Sequence, residues 1–304
     1  MHDIVVIGGG PAGMTAALYA QRNGKSTLVL DKAGFGGQIT HSPKVENIPG
    51  FDKISGNEFA DRFLSQILAQ GAEIDFENVV AVERRDDGTF AVRTEEGAVH
   101  ECRAVVLATG VKHRMLGLPG EEKLVGNGIS FCAVCDGDFY ADRDVCVAGG
   151  GNSGLQEAIL LAAKSRKVII LQDLPALTGE MKLREAVERR PNVEVITNVK
   201  IVGYDTTDDA FRGVRIADAT TGAERTVAAD GLFVAIGLIP ENAPFADWAS
   251  LDARGYFDSG EDCTTKTPGV FVAGDCRAKN IRQVATAAAD GATAALAACR
   301  YLDS

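Results

Sequence analysis

Two cysteines three positions apart, Cys132 and Cys135 in "CAVCDG", are the residues whose type and spacing point most directly to chemistry. A C-x-x-C pair can cycle between dithiol and disulfide, because the spacing tends to lower one thiol's pKa and so supplies a thiolate nucleophile. It can also provide half of a zinc site. Zinc needs four ligands, and the four histidines (His2, His41, His100 and His113) form no pair with ligand spacing. Redox exchange is therefore the favoured reading, and His113 reads as a surface residue. Asp136 follows the second cysteine directly, where it can manage protons at a thiolate or simply face solvent in a turn before Gly137. The chain has seven cysteines, an odd number that excludes a fully paired framework. Cys102, Cys146, Cys263, Cys276 and Cys299 stand in apolar or strand-like surroundings and read as small core residues.

A glycine-rich turn must position this pair, for "GGGNSG" follows shortly after at residues 149–154. It belongs to an internal repeat: "DIVVIGGGPAGMTAA" at residues 3–17 matches "DVCVAGGGNSGLQEA" at residues 144–158. Each copy has an apolar strand-like run, three glycines, a further glycine, and a helical pattern. Each then reaches a second strand, "STLVLD" ending at Asp31 and "KVIILQD" ending at Asp173. Glycines in that arrangement permit a tight turn and bring backbone N–H groups to a pyrophosphate at a helix N-terminus. The fold class expected is α/β, with two Rossmann-like dinucleotide-binding domains.

The intervening segments also correspond. "GNEFADRFLSQILAQG" puts Phe59, Phe63 and Ile67 on one helix face and ends on Gly71. "TFAVRTEE" and "AVHECRAVVLATG" read as strands, and "FRGVRIADATTGAERTVAADGLFVAIG" mirrors them in the second half. The net charge of −11 argues against a nucleic-acid surface. The late stretch "VATAAADGATAALAACRYL" is mostly alanine, interrupted by Asp290 and Gly291, which suits a packed helix better than a membrane span. With no targeting segment at the start, the expected compartment is the reducing cytoplasm.

Together "GGGPAG", "FGGQI", "VENIPG", "ATG", "CAVCDG" and "AGDC…RQ" make nearly the whole chain resemble the low-molecular-weight thioredoxin reductases, among the two-dinucleotide-fold flavoprotein disulfide reductases. The resemblance implies an FAD domain from residues 1–115 and 242–304, with a pyridine-nucleotide domain at 116–241 inserted between them. Gly8, Gly10 and Gly13 would then approach the FAD pyrophosphate, and Asp31 would accept hydrogen bonds from both ribose hydroxyls. Gln38, Asn47 and Thr109 match positions around the flavin, Asp275 the ribityl contact, and Arg282 and Gln283 the "RQ" beside the isoalloxazine. Asn47 and Asp275 could instead be a turn residue and a helix cap. By the same resemblance Cys135 is the flavin-proximal sulfur, Cys132 attacks the substrate disulfide, and Asp136 is the acid serving the departing thiolate. Family members are homodimers that reduce thioredoxin or a similar protein. Their small domain rotates about crossings that fall here near residues 111–120 and 239–244.

One departure stands out. NADPH-using members carry arginines after the second strand of the nucleotide domain, to hold the 2′-phosphate. Here "VIILQDLPALTGEMKLREAV" has none before Arg184. Gln172 falls where Asp31 stands in the first copy, with Asp173 next. An acid at that strand end suits a free ribose diol, so NADH is favoured over NADPH, with Gly149, Gly151, Gly154 and Asp173 as its expected contacts. The stretch also resembles the NADH-using flavoprotein subunit of alkyl hydroperoxide reductase. Two alternatives stay open: a relative that takes electrons from ferredoxin, and a dithiol oxidase working in the opposite direction.

Overall fold

The computed structural model describes residues 1–42, 45–208 and 210–304. The chain divides into two compact units, Met1–Lys112 with Ile239–Ser304, and His113–Leu238. The cuts lie at 112 and 238, three residues before the 115 and 241 read from sequence.

The first unit opens with β1 (His2–Ile7), α1 (Pro11–Arg22) and β2 (Thr27–Leu30). The apolar runs "IVVI" and "TLVL" are buried throughout, as befits strands covered on both faces of a parallel sheet. Next come α2 (Gly56–Ala69), β3 (Glu73–Asp75), β4 (Val79–Arg84), β5 (Phe90–Thr94) and β6 (Val99–Leu107). Helix α2 starts at Ser55, whose hydroxyl accepts from Glu58 N–H, and it buries Phe59 and Ile67. Strands β3, β2, β1 and β6 pair in parallel, and β5 and β4 extend the sheet antiparallel.

The chain leaves this unit through β7 (Val111–His113). The second unit contains α3 (Glu121–Leu124), β8 (Ile129–Ser130), α4 (Ala133–Asp136), β9 (Asp144–Ala148), α5 (Asn152–Ala162), β10 (Lys167–Leu171), α6 (Met181–Glu188) and β11 (Val193–Ile196). Then follow β12 (Val199–Thr207), β13 (Ala210–Asp218), β14 (Glu224–Ala228) and β15 (Gly231–Val234). A parallel sheet runs β11-β10-β9-β15-β8, and β12-β13-β14 form an antiparallel sheet. The return crossing is β16 (Leu238–Pro240), which pairs with β7.

Back in the first unit, β17 (Val270–Val272) pairs with the end of β6 beyond the point where β5 lets go. The chain closes with α7 (Val284–Asp303). Alanine and glycine let α7 lie close on α1: a Cβ added at Gly291 would collide with the Ala12 carbonyl. Asp290, the polar interruption beside it, accepts from Gly274 N–H at 3.0 Å. Among the described residues no helix is long and apolar enough to cross a membrane.

Asn242 ties the return segment down. It is fully buried, donates to the carbonyls of Gly255 and Cys276 at 2.9 Å each, and accepts from Thr109 Oγ1 at 2.8 Å. Two outcomes follow. Gly291→Ala should lower the unfolding free energy by about 1–3 kcal/mol, through forced separation of α1 and α7. Asn242→Ala should lower it by about 1–3 kcal/mol or more, because buried partners lose their bonds. Urea denaturation of both variants beside the parent checks each value.

Candidate active site

Cys132 and Cys135 are joined as a disulfide with Cα atoms 5.3 Å apart. The pair is set at the start of a single helical turn: Cys132 precedes α4 in an extended conformation, and its Sγ accepts from Cys135 N–H at 3.1 Å. That same N–H would serve a thiolate on Cys132 after reduction. The other cysteines are buried free thiols. Burial pushes Cys102 and Cys146 up to about 12 and Cys263 to about 11, so none is a thiolate at neutral pH.

Two carboxyl groups sit under this turn. Asp136 Oδ2 accepts from Ser130 Oγ at 2.6 Å, and Ser130 Oγ in turn accepts from Cys132 N–H at 3.1 Å. Asp136 Oδ1 is buried with no hydrogen-bond partner in the chain. Burial raises its pKa above the ordinary carboxylate value, against the lowering effect of the Ser130 hydroxyl. An unbonded buried oxygen on an acid of raised pKa is a place for a proton, not a solvated turn aspartate. The second carboxyl, Glu157 on α5, was not singled out by sequence. It accepts a short hydrogen bond from Ala133 N–H, the amide between the two cysteines. Burial chiefly, and then the charge of Asp136, push its pKa to about 7, although the Ala133 bond pulls the other way. No spacing rule announces this contact, because Glu157 lies 24 residues from Ala133. His113 also differs from its sequence reading: it is half-buried and stacks on Phe131 with ring centroids 4.6 Å apart.

The glycine turn beyond β9 has the geometry of a dinucleotide turn. Gly149 has φ +112°, Gly151 caps α5, and a Cβ at Gly154 would collide with the Gly149 carbonyl. At Gly151 the space is open, with Thr178 Oγ1 the nearest atom at 3.8 Å from such a Cβ. Gln172, buried at the end of β10, accepts from Gly150 N–H at 2.7 Å. Asp173 is exposed one residue further on.

The first unit repeats the arrangement. Gly8 has φ +111°, Gly10 caps α1, and Gly13 packs on the Gly8 carbonyl. Asp31 stands where Gln172 does: its Oδ2 accepts from Gly9 N–H at 2.7 Å, and its Oδ1 from Ala33 and Gly34 N–H at 2.8 and 2.9 Å. A carboxylate has about four acceptor positions. Asp31 therefore keeps an acceptor position open on Oδ2.

The remaining residues singled out in this unit fall into two groups. Gln38 is exposed on the short helical turn Gly37–His41, and Asn47 donates to Gln283 Oε1 at 3.1 Å. Gln283 also caps α7 reciprocally with Thr286. Asp275 Oδ1 is buried without a hydrogen bond; the Lys279 ammonium is 3.5 Å away. Burial raises the Asp275 pKa, against the opposing charges of Lys279 and Arg282. Arg282 donates to the carbonyls of Asp275 and Arg277 at 3.2 Å each, and its guanidinium lies 4.3 Å from the Tyr256 ring centroid. Lys279 and Arg277 both pair with Asp290, at 3.0 and 2.7 Å. Tyr256 and Lys279 were not singled out by sequence: Tyr256 meets Arg282 only through the fold, and Lys279 is held between Asp275 and Asp290.

The orphaned oxygen of Asp275 and the open backbone at Gly10 fit a flavin dinucleotide. One could take a ribityl hydroxyl as donor, and the other leaves room for a pyrophosphate.

Comparison with known proteins identifies the family. The family model described as pyridine nucleotide-disulphide oxidoreductase matches residues 2–291. A thioredoxin reductase of Listeria monocytogenes is 36% identical over 303 residues, covering 100% of this chain and 94% of that protein. One from Treponema pallidum is 37% identical over 310 residues, covering 100% and 98%. The crystal structure of thioredoxin reductase from Streptococcus pyogenes superposes with a TM-score of 0.93 at 36% identity, covering 100% of this chain and 98% of the other. The chain belongs to the pyridine nucleotide-disulphide oxidoreductases and, among them, to the low-molecular-weight thioredoxin reductases, which are flavoprotein disulfide oxidoreductases.

Proposed function

We propose that this protein is an FAD-dependent thioredoxin-disulfide reductase that draws electrons from NADH and passes them through the Cys132–Cys135 pair to thioredoxin or a similar small protein. The observation that carries the reading is the closed Cys132–Cys135 disulfide, backed by Asp136, just ahead of the second glycine turn. The protein would act as a homodimer in the cytoplasm, where free thiols such as the five buried ones stay reduced.

The first unit would hold FAD. Gly8, Gly10 and Gly13 would face the pyrophosphate, Asp31 one ribose hydroxyl, and Asp275 a ribityl hydroxyl. Gln38, Asn47, Thr109, Arg282 and Gln283 would line the ring. When bound, FAD supplies a two-electron carrier between nucleotide and disulfide. The second unit would take the nucleotide at Gly149, Gly151 and Gly154. NADH is favoured because the end of β10 offers Gln172 and then the exposed carboxylate of Asp173, with no arginine before Arg184.

The dithiol's work is disulfide exchange. A thiolate on Cys132 attacks one sulfur of the substrate disulfide and forms a mixed disulfide, releasing the other sulfur as thiolate. Cys135 then attacks Cys132, restoring the Cys132–Cys135 bond and freeing the second substrate thiol. Asp136 takes the proton from Cys135 as it attacks and returns one when that sulfur leaves again.

The reading is tested by anaerobic titration of the purified flavoprotein with NADH and with NADPH, following flavin absorbance. Rapid bleaching by NADH alone is expected. Bleaching by NADPH alone would require a phosphate site involving Lys182 or Arg184, and bleaching by neither would turn attention to ferredoxin or to dithiol oxidation by oxygen. Cys135→Ser should keep the flavin and its reduction by NADH yet lose thioredoxin reduction; retained turnover would remove the relay. Asp136→Asn should slow thioredoxin reduction by about 10²-fold or more.

A further inference from the structure

Glu157 is a half-buried acid that the exchange chemistry above does not use. It projects from α5 onto the backbone amide of Ala133, between the two reactive cysteines, and among the described residues that is the hydrogen bond its carboxylate makes. Ala133 is itself buried. The Ala133 N–H belongs to the peptide that follows Cys132, so a titrating group there sits one peptide unit from the first cysteine of the pair.

The elements packed against α5 bring Asp136 from α4, Asp138 and Tyr140 from the turn after it, Asp144 from β9, Lys167 from β10, and Lys182, Arg184, Glu185 and Glu188 from α6. Asp138 is paired with Lys164, Asp144 with Arg166 and Lys167 with Glu194. Asp136 is the one whose charge acts on the Glu157 carboxyl, and it disfavours ionisation there. A second negative charge arriving on sulfur would act in the same sense.

We propose that Glu157 holds one of the two protons that the cysteine pair takes up on reduction, and gives it back when the disulfide closes. The inference rests on the relay reading of Cys132 and Cys135. Reduction breaks the S–S bond, adds two electrons and binds two protons. With one sulfur kept as the thiolate that exchange requires, a single proton can sit on sulfur. The thiolate draws the other to the carboxyl held on the Ala133 amide of the cysteine turn, and burial has brought Glu157 to about 7. On reoxidation two electrons pass to the substrate disulfide. One proton leaves from the remaining thiol and one from Glu157, so the substrate departs as a dithiol and the balance closes.

The sign of the pH effect follows. Below about pH 7 the Glu157 carboxyl is protonated in the disulfide form already, so reduction adds no proton to it. Above that pH it is ionised in the disulfide form and protonated in the thiolate form. Reduction then binds one proton more than the sulfurs alone would, and rising pH opposes it more steeply.

The test equilibrates the flavin-loaded protein with dithiothreitol and its cyclic disulfide from about pH 6 to 8.5. Thiols are then alkylated and the peptide carrying residues 132–135 is weighed. The comparison is with Glu157→Gln, whose amide oxygen still faces Ala133 N–H. The expected result is that above about pH 7 the parent's reduction constant falls about tenfold more per pH unit than the variant's, a difference of about 30 mV per unit for a two-electron couple. Parallel curves, whether superposed or offset by a constant, would make Glu157 a structural acceptor only and overturn the inference. A pair that does not exchange with dithiothreitol would remove the relay reading, and this inference with it. If Glu157→Gln does not fold, infrared difference spectra of the parent at about pH 8 decide the matter. Reduction should produce a protonated carboxyl band that moves when glutamate carries carbon-13, and its absence overturns the inference.

Discussion

Both units depend on one close approach of backbone to backbone. The helix after each glycine turn starts so near its strand that Gly13 rests on the Gly8 carbonyl and Gly154 on the Gly149 carbonyl. A side chain at either place would push helix from strand and close the space above Gly10 or Gly151. Each turn is then latched by an acceptor one residue past the second strand, Asp31 to Gly9 N–H and Gln172 to Gly150 N–H. The latches are alike in geometry and differ in charge, so the strand ends present different fields to whatever binds beside them.

In the second unit, the constraint that shapes the chemistry is the burial of acids under a reactive turn. Asp136 and Glu157 are raised because burial disfavours their charge, and each is pinned to the cysteine turn by one hydrogen bond, through Ser130 in one case and Ala133 in the other. The remaining cysteines are buried in apolar surroundings and stay protonated, which confines thiolate chemistry to the pair.

The first unit holds its polar interior by neutralising it locally. Asp290 gathers Arg277, Lys279 and Gly274 N–H, and Asn242 collects Thr109 and two carbonyls from the returning chain. Asp275 is paired with Lys279 at 3.5 Å, yet among the described residues its buried Oδ1 has no hydrogen bond. A buried oxygen without a hydrogen bond is costly, and the Lys279 ammonium at 3.5 Å offsets part of that cost.

The amino-acid sequence by itself determined the α/β class, the repeated strand–turn–helix unit, the cysteine pair and the family, because these rest on local patterns. Glycine spacing, apolar runs and C-x-x-C are constraints among neighbours, and they survive without knowledge of the fold. Tertiary structure decided what those residues touch. That Gln172 and not Asp173 latches the second turn follows from the strand register of β9 and β10, which sequence alignment of the repeats could suggest but not bond. Three backbone amides already occupy Asp31, and Glu157 reaches Ala133 across 24 residues. A side chain's partners and pKa are set by burial and by contacts distant in the chain, and neither is encoded in spacing.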